Sequence, residues 1–84
     1  MTLTVNDKIK SEYRTLLKSA KVTVSPEEIL LIKKAFDMAE IAYKDSVILT
    51  GEPQILHALA VSKVIAEDMG LGVTAIITSL LHDV

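Results

Sequence analysis

Eighty-four residues, half of them hydrophobic but only three aromatic, make one small domain whose core must be aliphatic, built from Leu, Ile, Val and Ala. Nine basic against eleven acidic side chains give a formal charge of −2, and with no Lys/Arg cluster interleaved with aromatics this excludes a general nucleic-acid-binding surface. The absence of cysteine excludes disulfides and thiolate metal ligands and fits a cytoplasmic location, while residues 1 to 20 lack the apolar run of a signal peptide and the longest nearly apolar stretch, 71 to 81, is too short to span a bilayer.

In chain order, Val5, Ile9, Tyr13, Leu16, Leu17 and Ala20 recur at helical spacing, with Lys8, Lys10, Glu12, Arg14 and Lys18 mostly elsewhere. This predicts an amphipathic helix over 5–20, with Asn6 or Asp7 as its cap. A short connection leads to Ser25-Pro26-Glu27-Glu28, the clearest local signal in the chain. Serine caps, proline suits the first helical position, and Glu28 at the third returns the capping-box bond. The second helix is predicted to run to about Tyr43. Ile29, Ile32, Phe36, Ala39 and Tyr43 share one face; Lys33, Asp37, Glu40 and Lys44 share a solvated one, on which Glu40 and Lys44 form an i,i+4 pair in the favourable order.

Residues 45–52 break the pattern and read as a loop, because the residue before Pro53 is pushed to an extended conformation. A third helix is predicted from Pro53 to about Met69, with Leu56, Leu59, Ala60, Val64 and Ile65 as its apolar face and Gly70 as its C-terminal cap. Gly70-Leu71-Gly72 is so short a link that the third and fourth helices must be antiparallel neighbours. The fourth helix, about Val73 to His82, is apolar around its whole circumference, and a helix of that kind must be enclosed by others. It is expected to be the central helix. It is also expected to be incompletely covered by the first three, and the isolated chain to dimerise through residues 73–82.

The two histidines are the candidate site. His57 lies twelve residues before Met69 and His82 nine after Val73, on helices of opposite direction. At a rise of about 1.5 Å per residue their levels differ by only about 4 to 5 Å. Neutral imidazoles beside the carboxylate of Asp83 are ordinary ligands of a hydrolytic divalent metal. Equally, a histidine in a last helical turn is favoured by the helix dipole, and His57 reads as a partly buried polar residue. Both readings stay open on the residues alone.

Gly51-Glu52-Pro53, three residues, His57, and then Leu-Leu-His82-Asp83-Val84 after a helix-turn-helix resemble the start of the hydrolase domain of the RelA/SpoT alarmone enzymes, and 34–42 is similar to the helix that precedes that loop. The resemblance covers roughly residues 25 to 84. It implies an all-α, HD-domain-like bundle of about four helices cut after the central one, with 1–24 an N-terminal helix and linker and 25–84 the HD-like core helices. It also implies His57, His82 and Asp83 as ligands of Mn²⁺, and removal of pyrophosphate from the 3′ position of guanosine tetraphosphate or pentaphosphate. The parent would be a stringent-response enzyme, a GTP pyrophosphokinase as well as a hydrolase, of which this chain is an N-terminal fragment, inactive alone.

The departures are specific. Ile48 and Leu49 replace the family's nucleotide-holding Arg-Lys pair. Thr50, the substrate-binding candidate, stands where serine is common. Gln54 and Ala58 replace a tyrosine and a proline. The family's catalytic acidic pair and its fourth ligand, an aspartate, fall after Val84. Loss of the two cations removes base stacking and phosphate attraction. That supports an alternative in which a degenerate domain regulates an attached synthetase without hydrolysing. An HD phosphohydrolase of another nucleotide and a metal-free helical interaction module are further alternatives.

Overall fold

The computed structural model describes residues 4–20, 24–68, 72–82 and 84. Four helices run in order, α1 (Val5–Ala20), α2 (Pro26–Ala42), α3 (Gln54–Asp68) and α4 (Val73–Leu81). No strand occurs among the described residues; Val47 and Pro53 form one isolated antiparallel bridge. The architecture is all-α, as expected. The cap expected at Gly70 lies outside the described residues.

α1 begins where its periodicity starts, but its cap is Thr4. The amide of Asp7 donates to Thr4 Oγ1 at 3.1 Å and the amide of Thr4 to Asp7 Oδ2 at 3.3 Å. Asn6 and Asp7, expected as caps, are already helical, and a cap must stand outside the first turn with extended dihedrals. α2 carries the predicted capping box: the Glu28 amide donates to Ser25 Oγ at 3.2 Å and the Ser25 amide to Glu28 Oε1 at 2.9 Å. The helix stops at Ala42 with Tyr43 as its C-cap. Lys44 therefore lies past the helix, and the helical pair that forms is Lys33 with Asp37 at 3.0 Å, not Glu40 with Lys44.

The loop that follows is a tight reversal. The Gly51 amide donates to the Ile48 carbonyl at 2.8 Å and the Ile48 amide to the Glu52 carbonyl at 2.9 Å. Gly51 sits at φ +88°, where a side chain is strained. The Gln54 amide reaches back to the Ser46 carbonyl at 3.0 Å, fixing where α3 starts.

Contacts run from α1 to α3, from α3 to α4 and from α4 to α2. α4 thus shares the centre with α3. The core is aliphatic: Leu16, Ile32, Leu59, Ile76 and Leu80 are all at most 1% exposed, each stabilising the fold by about 1.5–3 kcal/mol relative to exposure. One aromatic contact joins α1 to α2, Tyr13 stacking on Phe36 with centroids 4.2 Å apart and planes 13° from parallel.

Two expectations about the helices are corrected. On α3 the buried stripe is Ile55, Ala58, Leu59, Ser62 and Ala66 with Leu56, whereas Ala60 and Val64 are exposed. Ser62 belongs to the core because its hydroxyl donates to the Ala58 carbonyl at 2.8 Å, which removes the cost of burying it. On α4, Ile76 and Leu80 are fully buried within the single chain, and Ile77 and Leu81 pack against the core. α2 and α3 pack against α4, with Ile77 and Leu81 partly buried and Thr74 and Thr78 exposed. Four large exposed apolar side chains lie on α2: Leu30, Leu31, Met38 and Ile41.

Candidate functional site

α3 has more than one working face. At 3.6 residues per turn, the stripe Gln54, His57/Ala58, Val61 and Ile65 lies beside the core stripe, and all five residues line one cleft. From α4 come Thr78, Ser79 and His82, and from the end of α2 comes Tyr43. The cleft has a volume of about 310 Å³. Its floor is apolar and its rim carries two imidazoles, two aliphatic hydroxyls and a carboxamide.

His57 is in the first turn of α3 and His82 is the C-cap residue of α4. Helices that pack together and place the start of one beside the end of the other run in opposite directions. The structure therefore brings both histidines of the chain into the same cleft, each with its side chain exposed. Asp83 lies outside the described residues. Among the described residues no group of three His, Cys, Asp or Glu side chains converges to hold a metal ion; of these residue types the cleft lining holds the two histidines.

The remaining sequence candidates sit elsewhere. Thr50 and Leu49 are exposed at the tip of the turn and Ile48 is half-buried behind them. None of the three lines the histidine cleft.

Sequence reasoning missed the rest of the wall: Tyr43, Gln54, Val61, Ile65, Thr78 and Ser79. The signal for the α3 residues was present, since 54, 57, 61 and 65 follow the 3–4 spacing of one helix face. Tyr43 was read as a core residue, which it is at 4% exposure, but its hydroxyl donates to the Leu80 carbonyl at 3.3 Å. That carbonyl belongs to the last turn of α4, where helical partners run out. Tyr43 therefore ties down the turn that carries His82. Ser79 donates to the Ala75 carbonyl at 2.8 Å, and its oxygen keeps a lone pair for the cleft.

The comparisons with known proteins bear on the same chain. Over 53 residues it is 34% identical to a probable GTP pyrophosphokinase of Mycobacterium leprae, a match covering 63% of this chain and 7% of that protein. Over 56 residues it is 30% identical to the bifunctional (p)ppGpp synthase/hydrolase RelA of Mycobacterium tuberculosis, covering 67% of this chain and 8% of the relative. A probable GTP pyrophosphokinase of Mycobacterium bovis matches at 30% over 56 residues, with 67% and 7% covered. The chain thus spans less than a tenth of the length of these relatives. No family model matches it, and no solved structure does. These partial matches support a relationship to the RelA/SpoT proteins. No helix among the described residues is long and apolar enough to cross a membrane.

Proposed function

We propose that the chain is part of the HD-type hydrolase domain of a RelA/SpoT-type protein, in which His57, His82 and Asp83 hold Mn²⁺ and the longer parent removes the 3′-pyrophosphate of guanosine tetraphosphate or pentaphosphate. The observation that carries this reading is the presence of both histidines of the chain in one cleft between α3 and α4. Two imidazoles lining one cleft suit a borderline divalent cation, and the partial similarity to proteins named GTP pyrophosphokinase and (p)ppGpp synthase/hydrolase supports a guanine nucleotide.

Within this reading each residue has a task. The imidazoles of His57 and His82 would hold the cation, with the orientation of His82 depending on the turn that Tyr43 secures. Thr78 and Ser79 offer hydroxyls to a phosphate oxygen or to water. Ala58, Val61 and Ile65 give the cleft an apolar lining. The cation, when bound, supplies the charge that lowers the pKa of coordinated water to about 7.

A second reading, regulation of an attached synthetase without hydrolysis, is favoured by Leu49, which stands fully exposed at the tip of the turn where a cation would meet the nucleotide. Two measurements separate the readings. Mn²⁺ titrated into the ¹⁵N-labelled chain is expected to broaden signals around His57 and His82 first, and His57→Ala to abolish that selectivity; broadening confined to carboxylates such as Glu27 and Glu28 would defeat the metal site. In the full parent, Mn²⁺-dependent release of pyrophosphate from guanosine tetraphosphate should disappear in His82→Ala. If the parent hydrolyses nothing and His82→Ala changes only its synthetic rate, the regulatory reading replaces the catalytic one.

A further inference from the structure

α2 is apolar on two sides. Its core side is Ile32, Ala35, Phe36 and Ala39. On the other, Leu30, Leu31, Met38 and Ile41 are 66, 48, 57 and 77% exposed and fall within an arc of roughly 100° at 3.6 residues per turn. Along this side of the helix the residues Glu27, Leu30, Lys34, Asp37 and Ile41 are spaced 3, 4, 3 and 4 apart, all exposed, so they form one seam.

The order of this seam is self-complementary. Laid antiparallel on a copy of itself about a two-fold axis between residues 35 and 36, it sets Leu30 against Ile41 and Lys34 against Asp37, each pair occurring twice. A two-fold interface requires this reciprocity. A parallel arrangement would instead oppose each charge to itself. The ends match in shape as well. Ile41 and Lys44 border a groove of about 410 Å³, which Val5, Val47 and Pro53 also line, with Val5 and Val47 more than half exposed. In the antiparallel register the protruding Leu30 of the second copy arrives at that groove.

We propose that this face of α2 is a homodimer interface, formed by antiparallel pairing of α2 with α2 of a second copy in the register that opposes Leu30 to Ile41. The seam, about 20 Å long at 1.5 Å per residue, is short for a stable interface, so the association is weak, with a Kd of roughly tens to hundreds of micromolar.

The absence of cysteine makes the register directly testable. Leu30→Cys with Ile41→Cys is expected to give disulfide-linked dimers under mild oxidation. Within one chain the two positions are about 16 Å apart along the helix, too far to bridge. Each single variant is expected to stay uncrosslinked, because like positions lie far apart in the antiparallel pair. Lys34→Glu should weaken dimerisation by about tenfold in sedimentation, as two pairs turn from attractive to repulsive, and adding Asp37→Lys should restore it. All these side chains are exposed, so circular dichroism is expected to show unchanged helicity. Efficient crosslinking by Leu30→Cys alone, a wild-type chain that stays monomeric to millimolar concentration, or dimerisation indifferent to Leu30→Glu would each overturn the proposal.

Discussion

The phenolic hydroxyl of Tyr43, at the C-cap of α2, donates to the carbonyl oxygen of Leu80 in the last turn of α4, 3.3 Å away and buried. It links the ends of two helices that meet at the histidine cleft, two residues before His82. Tyr43→Phe leaves that carbonyl short of a partner and is expected to lower stability by about 1–2 kcal/mol. The check is a urea titration, accompanied by NMR, in which the amide of His82 should shift while that of Val5 does not. Equal shifts at both would mean that the bond serves general stability rather than the cleft.

Ile76 is completely buried and Leu49 completely exposed. Ile76→Ala is expected to cost about 2–5 kcal/mol, the usual loss for a large buried aliphatic, whereas Leu49→Ala should stay within about 0.5 kcal/mol. Denaturation midpoints compare the two directly.

The reassigned cap of α1 makes its own prediction. Thr4→Ala removes the acceptor of the Asp7 amide and is expected to cost about 1 kcal/mol, as is Ser25→Ala at the start of α2. Asn6→Ala should cost little. A larger loss at Asn6 than at Thr4 in thermal melts would return the cap to Asn6.

Gly51 adopts φ +88° and an added Cβ there would meet nothing within 4 Å. Gly51→Ala should therefore cost only the backbone strain, about 1–2 kcal/mol, with no packing penalty. Calorimetry on that variant tests it, and a neutral result would show that the turn relaxes.

Tyr13 has a buried hydroxyl without a hydrogen-bond partner, and its pKa is raised above 10.0 by burial and, secondarily, by the charge of Asp37. In the unfolded chain this tyrosine ionises near pH 10 while in the folded protein it resists. Its contribution is therefore fully present below pH 10 and lost as pH rises from there through the folded pKa. Urea midpoints should fall more steeply above pH 10 in the wild type than in Tyr13→Phe. At pH 7 that variant, which keeps the ring against Phe36 and removes the unpaired hydroxyl, should be neutral or slightly more stable.

Local signals were legible in the sequence alone because they depend on residues within one turn of each other. The Ser25–Glu28 capping box, the bounds of α1 and α2, the reversal before Pro53 and the antiparallel placement of α3 and α4 all follow from spacing and backbone stereochemistry. So does the presence of His57 and His82 in one cleft, since two short antiparallel helices close in sequence leave little choice of level. What only the tertiary structure decided is which side of each helix faces which neighbour. α3 is apolar over so much of its surface that periodicity did not distinguish the core stripe through Ser62 from the cleft stripe through Val61 and Ile65. α4 looked too apolar to be covered, yet α2 and α3 bury Ile76 and Leu80, and the uncovered apolar surface appears on α2 at Leu30 and Ile41. Hydrophobic burial is non-directional: the sequence says how much apolar surface must be hidden, and only the packing of all four helices together selects which side chains hide it.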